Sequence, residues 1–344
     1  MTAADVSSSL GAPSPVRTGP LLEVRGLSKS FVEERDILSV LRAQPARVLR
    51  AVRDVSFAVR PGETLGVVGE SGCGKSTLGR CIAGLYEPSA GDIRWEGRPL
   101  AEIGKRHLAS RQIQMIFQDP YSSLNPRMTI GQTLSEVLVA HHLGGGRQQR
   151  AERVDELLLT VGLPPRLKSR LPHALSGGQR QRVSIARALA LEPRLIVADE
   201  PVSALDASVQ AQIINLFEEL REKFGIAFVF IAHDLNVVRH VSHRIAVMYL
   251  GEVVEIAEAD ALFEAPRHPY TKALLSAIPW PDPDRRVSAA GLEGELPDPL
   301  NPPVGCAFST RCRWVEDACR LSHPELEPSA ADHFVRCRRF REIN

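Results

Sequence analysis

The chain has 344 residues, of which 44% are hydrophobic and 24% charged, with 25 glycines and 25 prolines. This composition is typical of a folded globular protein and excludes collagen-like, coiled-coil and wholly disordered classes, while the length favours two domains or one large domain with an appendage. The 42 basic and 41 acidic residues give a formal charge of +1, which provides no overall attraction for nucleic acid.

The chain begins with a polar tail and continues into a first set of strands. Residues 1–20 are mostly Ser, Pro, Ala, Gly and Thr, a composition that buries too little to become ordered, so we expect a disordered tail. Apolar residues that alternate with polar ones from Leu22, and again from Val55 to Val59, predict strands of an antiparallel sheet. The arginine-rich stretch 33–50 is predicted to leave that sheet. It would form either a solvated loop or a contact with a partner or a lipid headgroup.

Strand and helix patterns alternate through the middle of the chain. A strand at 64–68 runs through a glycine-rich turn into an amphipathic helix, and further strands are predicted at 113–117, 195–198, 227–231 and 245–250. The alternation predicts a mostly parallel sheet covered on both faces. Between Tyr121 and Ser176 the strand pattern fades, which predicts a helical insertion. Prolines after Pro266 indicate a linker, and we assign residues 266–344 to a small C-terminal appendage.

The sequence contains no pattern for a membrane span or a secretory signal. The longest uninterrupted apolar stretch, 226–232, is far shorter than the roughly 18 residues that a spanning helix needs. The N-terminus lacks the basic and then apolar pattern of a signal peptide. We therefore expect a cytoplasmic chain, in which disulfides are disfavoured.

A phosphate-binding loop follows the strand at 64–68. Its sequence, Gly69-Glu-Ser-Gly-Cys-Gly-Lys-Ser-Thr77, has P-loop spacing and stands between a strand and a helix. Backbone amides at a helix start bind anions, the lysine reaches the terminal phosphates, and the hydroxyl after it ligates magnesium. The predicted nucleotide-binding residues of this loop are Gly69, Ser71, Gly72, Gly74, Lys75, Ser76 and Thr77, and Ser76 is also a predicted magnesium ligand.

Two adjacent acids end a second apolar strand. Leu195 to Ala198 is followed directly by Asp199 and Glu200, and the C-terminal ends of strands are where an α/β sheet binds its ligands. We expect Asp199 to hold Mg2+ through its water shell. Glu200, one residue further on, is the candidate general base that activates the attacking water.

Together with these features, Leu175-Ser-Gly-Gly-Gln179 resembles the signature of ATP-binding-cassette (ABC) proteins. The resemblance implies an α/β P-loop nucleotide-binding domain over residues 21–265, with a RecA-like parallel sheet core, an antiparallel β-subdomain and a helical subdomain at about 121–185. It also implies that two cassettes meet head to tail, so that each P-loop faces the signature of the other. The signature residues assigned to nucleotide binding are Ser176, Gly177, Gly178 and Gln179.

Further positions are assigned through the same resemblance. It implies that Phe31 stacks on adenine, that Gln118 senses the γ-phosphate and ligates Mg2+, that the loop with Asp206 joins the two sites, and that His233 contacts the γ-phosphate. The residues to which it gives catalytic roles are Lys75, Gln118, Glu200 and His233.

Two longer stretches, 117–126 and 268–277, are similar to the ATP-binding subunits of oligopeptide and dipeptide importers. That resemblance implies ATP hydrolysis that powers peptide import at the cytoplasmic face of the membrane. The implied partners are a second cassette (a copy or a relative), two transmembrane permease subunits and an extracytoplasmic binding protein, with no nucleic acid. Alternatives are nickel or another small solute as cargo, a soluble cassette ATPase acting on ribosomes or DNA, and a catalytically silent partner.

Four of the six cysteines lie close together near the end of the chain: Cys306, Cys312, Cys319 and Cys337. Their spacing includes no short Cys-x2-Cys pair, which leaves zinc and an iron-sulfur cluster open as alternatives. Related importer subunits carry a four-cysteine tail that holds a four-iron, four-sulfur cluster. On that resemblance we expect a 4Fe-4S cluster, with zinc as the alternative and with nearby arginines offsetting the cluster's negative charge.

Overall fold

The computed structural model describes residues 19–32, 47–103, 109–277 and 294–343. Three sequence predictions lie wholly or partly outside these ranges: the tail at 1–18, the arginine-rich excursion up to residue 46, and the linker prolines Pro279, Pro281 and Pro283.

Two sheets form the framework of the described chain. The strands are β1 (Leu22–Val32), β2 (Val48–Val59), β3 (Thr64–Val68), β4 (Ala90–Trp95), β5 (Arg98–Pro99), β6 (Ile113–Ile116), β7 (Leu195–Asp199), β8 (Ala227–Ile231), β9 (Arg244–Tyr249), β10 (Glu252–Glu258), β11 (Glu327–Ala330) and β12 (His333–Val335). A four-stranded antiparallel sheet has the order β2-β1-β4-β5, and an eight-stranded sheet has the order β11-β12-β10-β9-β3-β8-β7-β6.

Helices cover the larger sheet. They are α1 (Lys75–Ile82), α2 (Ala109–Gln112), α3 (Pro120–Ser123), α4 (Ile130–Ala140), α5 (Arg147–Thr160), α6 (Gly177–Leu189), α7 (Ala207–Phe224), α8 (Leu235–Val241), α9 (Ala259–Glu264), α10 (Pro269–Ser276) and α11 (Asp317–Leu321). None of the helices in the described ranges is long and apolar enough to cross a bilayer.

The central strands are buried on both faces because side chains alternate across a sheet. In β7, Leu195 and Val197 pack in the core beneath the antiparallel sheet, whereas Ile196 and Ala198 pack in the core that the helices form. Strands β3, β7 and β8 are buried at every position. Continuous apolar runs are the pattern expected for parallel strands covered on both sides, so the predicted mixed α/β fold is confirmed.

The last strands of the chain extend the large sheet. Strand β12 pairs antiparallel with β10, with Val335 opposite Glu255 and Phe334 opposite Ile256, and β11 then pairs with β12. Because the chain end continues the central sheet in this way, the expectation of a separate cysteine-rich appendage is not supported.

Candidate functional site

The parallel strands bring the predicted nucleotide residues to one edge of the large sheet. Strands β3, β6, β7 and β8 run parallel to one another, so their C-terminal ends lie on the same side. Lys75 follows β3 through the P-loop, Gln118 follows β6, Asp199 ends β7, and His233 comes just after β8. The strand order therefore collects residues that are far apart in the sequence.

Glycine is required in the P-loop by the close approach of a neighbouring strand. Gly74 has a φ of 106°, in the region that L side chains avoid. A Cβ at this position would lie 2.0 Å from the carbonyl oxygen of Ala51 on β2. Helix α1 begins at the next residue, Lys75, which is buried and whose Nζ donates to the carbonyl oxygen of Gly69 at 2.8 Å.

The P-loop hydroxyl is hydrogen-bonded to the first acid of β7. Ser76 Oγ donates to Asp199 Oδ1 at 2.8 Å. Burial raises the pKa of Asp199, and the hydrogen bond from Ser76 partly opposes this shift. An alcohol oxygen beside a buried carboxylate is a donor set that suits a hard cation such as Mg2+. The residues present therefore fit the metal that accompanies a nucleoside triphosphate.

The second acid faces a different pair of side chains. Glu200 Oε2 accepts a hydrogen bond from Gln118 Nε2 at 3.0 Å and lies 3.3 Å from His233 Nδ1. The Glu200 backbone has a φ of 46°, an uncommon conformation for a residue with a side chain. Its N–H is fixed by donation to the carbonyl oxygen of Ile231, at 2.9 Å, on β8. Gln118 thus contacts Glu200 rather than the Ser76–Asp199 pair.

Most of these groups line a cleft of about 490 Å3, whereas the predicted residues Gly69 and Asp199 lie outside its lining. The predicted residues that line it are Phe31, Ser71, Gly72, Gly74, Lys75, Ser76, Thr77, Gln118, Glu200 and His233. The ring of Phe31 packs edge-on against Tyr86, with centroids 5.5 Å apart, and Lys29 Nζ lies 5.1 Å from its centroid.

Six lining residues were not predicted from the sequence: Leu49, Arg50, Ala51, Leu250, Gly251 and Pro299. Leu250 and Gly251 stand at the end of a predicted strand, the position that could have marked them as ligand-facing. The others belong to elements whose approach to the P-loop has no local signal in the sequence.

The signature residues lie outside this cleft. Ser176 caps α6, since its Oγ accepts from the backbone N–H of Gln179 while Gln179 Oε1 accepts from the backbone N–H of Ser176. A Cβ at Gly178 would lie 2.4 Å from Val209 Cγ1, so glycine allows α6 to pack against α7. Gly177, between Ser176 and Gly178, is the first residue of α6. Asp206 caps α7, since its side chain accepts a hydrogen bond from the backbone N–H of Val209. The fold does not bring these groups to the P-loop of the same chain.

The predicted 4Fe-4S cluster, and its zinc alternative, are wrong. Although Cys306, Cys312, Cys319 and Cys337 line one small cavity, no group of three or more His, Cys, Asp and Glu side chains within the described ranges is arranged to hold a metal ion. Burial raises the pKa of Cys306 to about 12 and that of Cys337 to about 11, so both side chains are neutral thiols near pH 7. Cys306 and Cys312 pack against the apolar core.

Three of the arginines near these cysteines have partners elsewhere in the fold. Arg311 forms an ion pair with Glu70 of the P-loop, Arg336 donates to the carbonyl oxygens of Val253 and Pro324, and Arg339 pairs with Glu342. These contacts, rather than the expected cluster, are what the structure shows for the three side chains.

Comparisons with known proteins agree with this geometry. Residues 52–203 match the family model described as ABC transporter, and residues 254–319 match the one described as oligopeptide/dipeptide transporter, C-terminal region. The ATP-binding cassette MJ0796, solved as a dimer in a post-hydrolysis state with ADP and Pi, is similar in structure, with a TM-score of 0.60 and 28% identity over 69% of this chain and 98% of that one.

Curated relatives match over nearly the whole chain. The oligopeptide transport ATP-binding protein OppF of Haemophilus influenzae is 49% identical over 92% of this chain and 96% of its own length. The corresponding OppF of Escherichia coli is 51% identical over 86% of this chain and 89% of its own length. Both names describe ATP-binding proteins. The chain therefore belongs to the oligopeptide-transport family of ABC transporter ATP-binding proteins.

Proposed function

We propose that this chain hydrolyses ATP to power the import of oligopeptides or dipeptides through an ABC transporter. The observation that carries the proposal is the placement of two acids with separate partners on one edge of the sheet: Asp199 against Ser76, and Glu200 against Gln118 and His233. Relatives about 50% identical and named for oligopeptide transport support a peptide cargo over nickel or another small solute.

Each side chain of the cleft has a chemical task in this proposal. Lys75 would bind the terminal phosphates as a positive charge, and Ser76 and Asp199 would hold Mg2+, which would neutralise phosphate charge. Glu200 accepts a proton from the attacking water. Because Gln118 and His233 both contact Oε2 of Glu200, the other carboxylate oxygen is the one directed to receive that proton.

The same proposal gives the chain its partners. Because the signature lies away from this chain's own cleft, a second cassette, either a copy or a relative, would supply it in a head-to-tail dimer. The similarity to a cassette solved as a dimer supports this arrangement. Two permease subunits and an extracytoplasmic binding protein would complete an importer, with this chain bound peripherally at the cytoplasmic face of the membrane.

The substitution Glu200→Gln tests the proposal in the assembled transporter. It removes the proton acceptor and keeps the shape of the side chain, so ATP should still bind while hydrolysis falls by about 100-fold or more. Glu219→Gln, at an exposed position of α7, is the matched control and should hydrolyse ATP as the unmodified protein does. Turnover of Glu200→Gln close to that of the control would reject Glu200 as the base.

A further inference from the structure

Glu70, the second residue of the P-loop, has a partner for each of its polar groups. Its carboxylate accepts two hydrogen bonds from Arg311, Nη1 to Oε2 at 2.8 Å and Nη2 to Oε1 at 3.1 Å. Its backbone N–H donates to Tyr270 Oη at 2.9 Å, and its carbonyl oxygen accepts from Lys75 Nζ at 3.0 Å. Tyr270 and Arg311 lie 200 and 241 positions further along the chain. Distant parts of the sequence thus fix the conformation of the phosphate loop.

The two distant partners are themselves firmly held. The side chain of Arg311 is 5% exposed and Tyr270 is fully buried. The rings of Tyr249, Tyr270 and Phe308 pack together, with centroids 4.7 to 5.5 Å apart, and the backbone N–H of Arg311 donates to the carbonyl oxygen of Phe308 at 3.0 Å. The guanidinium of Arg311 lies over the ring of Tyr249, 6.0 Å from its centroid. Because this contact limits the rotamers of Arg311, its guanidinium is already aligned with the Glu70 carboxylate.

The negative charge of Glu70 affects phosphate binding because this residue lies beside Lys75 in the P-loop. Its carbonyl oxygen is hydrogen-bonded to Lys75, the side chain that binds terminal phosphates in P-loops. A free carboxylate at this place would repel a triphosphate, and in a partly buried site such repulsion is weakly screened. The bidentate pair with Arg311 neutralises the carboxylate. Pro299, from the same C-terminal part of the chain, also lines the nucleotide cleft.

We infer that Arg311 is a positioning residue for nucleotide binding, which keeps the P-loop receptive to a triphosphate by neutralising the Glu70 carboxylate. The C-terminal part of the chain therefore sets the ATP affinity of the cassette. This inference rests on the proposed function, since it concerns the same nucleotide cleft.

ATP affinity of the full chain, measured by isothermal titration calorimetry with Mg2+ present, tests the inference. Arg311→Met leaves the Glu70 carboxylate unpaired and should weaken ATP binding by about tenfold or more. Arg320→Met, at an exposed position of the same segment, is the matched control and should bind ATP as the unmodified chain does. The double variant Glu70→Gln with Arg311→Met should recover most of the lost affinity, because neither charge then remains.

The single variant Glu70→Gln distinguishes a charge effect on ATP from a purely structural role of the ion pair in holding the P-loop. Its result does not depend on whether Arg311→Met folds. If Arg311 acts by neutralising the carboxylate, this variant should bind ATP more tightly, because the positive charge of Arg311 beside the P-loop is then no longer cancelled by Glu70. If the pair only braces the loop, the variant should bind ATP less tightly. Weaker binding by Glu70→Gln, or normal binding by Arg311→Met, would overturn the inference. Failure of the unmodified chain to bind ATP would overturn the proposed function and this inference together.

Discussion

Two neighbouring carboxylates at the end of β7 have opposite surroundings. Asp199 is buried beside Ser76, whereas Glu200 turns through a φ of 46° toward Gln118 and His233. A strand alone would place successive side chains on opposite faces. The left-handed conformation of Glu200 instead turns its side chain into the cleft toward Gln118 and His233, while Asp199 stays buried against Ser76. Under the proposed function, this separates the carboxylate assigned to Mg2+ from the one assigned to accept the proton.

Lys75 provides a test of the phosphate-binding role at the residue scale. Lys75→Ala removes the ammonium that binds the terminal phosphates, so we expect the ATPase rate to fall by at least about 100-fold, the scale of a lost transition-state donor. Steady-state hydrolysis by the assembled transporter is the measurement. Lys223→Ala, at an exposed position on α7, is the control, and equal rates for the two variants would contradict the assignment.

The spacing of sequence motifs predicted the P-loop and acidic residues of the site, but it did not predict the contacts made by distant parts of the chain. Lys75, Asp199 and Glu200 could be assigned because each stands at a fixed offset from a strand whose apolar pattern is visible in the sequence. The ion pair between Glu70 and Arg311 could not, since it joins residues 241 positions apart and no periodicity encodes such a contact. The clustered cysteines misled the prediction because proximity in sequence does not show that side chains meet in the geometry of a metal site, and within the described ranges these do not.

At the scale of elements, buried strands were predictable and the last hairpin was not. Strands β3, β7 and β8 are fully buried and read as apolar runs. Strand β12 has three residues, and β11 has four, most of them exposed. Both strands are too short to show an alternation of apolar and polar residues in the sequence. Their place beside β10 is determined by buried polar contacts, including a hydrogen bond of 2.7 Å between His333 Nε2 and Glu255 Oε1.

Helix α10 starts at a buried histidine, which makes its stability depend on pH. His268 Nδ1 accepts from the backbone N–H of Tyr270 at 3.0 Å, and burial lowers the pKa of His268 from 6.5 to about 4. Between these values the unfolded chain binds the extra proton, so the free energy of unfolding decreases as the pH falls through this window. From pH 7 to pH 5 the decrease from this residue is about 2 kcal/mol.

The substitution His268→Asn isolates this contribution. Asparagine retains an acceptor suited to a helix N-cap but does not titrate. Urea unfolding at pH 7 and pH 5 should show a smaller loss of stability for the variant than for the unmodified chain, whatever the difference between the two proteins at pH 7. Equal losses in both proteins would show that His268 is not responsible for the acid sensitivity.

At the scale of the whole molecule, the two helix starts that the sequence assigns to phosphate binding occupy different surfaces. The N-terminus of α1 lines the cleft with Lys75, whereas α6 starts at Ser176, outside the cleft. Aligned backbone amides give each helix start a partial positive charge. One chain cannot use both on the same nucleotide, so the second surface is available to a nucleotide held by another cassette.

A charge placed on the second surface tests whether the signature acts across such an interface. Gly177→Asp puts a carboxylate at the start of α6, where a Cβ is tolerated because its nearest neighbour is Leu205 Cδ2 at 3.4 Å. The isolated chain should bind ATP with unchanged affinity, since Gly177 lies outside the cleft lining. In the assembled transporter the carboxylate would face the phosphates bound by the opposite cassette, so hydrolysis should fall by about 100-fold. Placing the same charge at Ala211, exposed on α7, should leave both measurements unchanged. A loss of ATP affinity in the isolated Gly177→Asp chain would instead indicate that the signature serves its own P-loop.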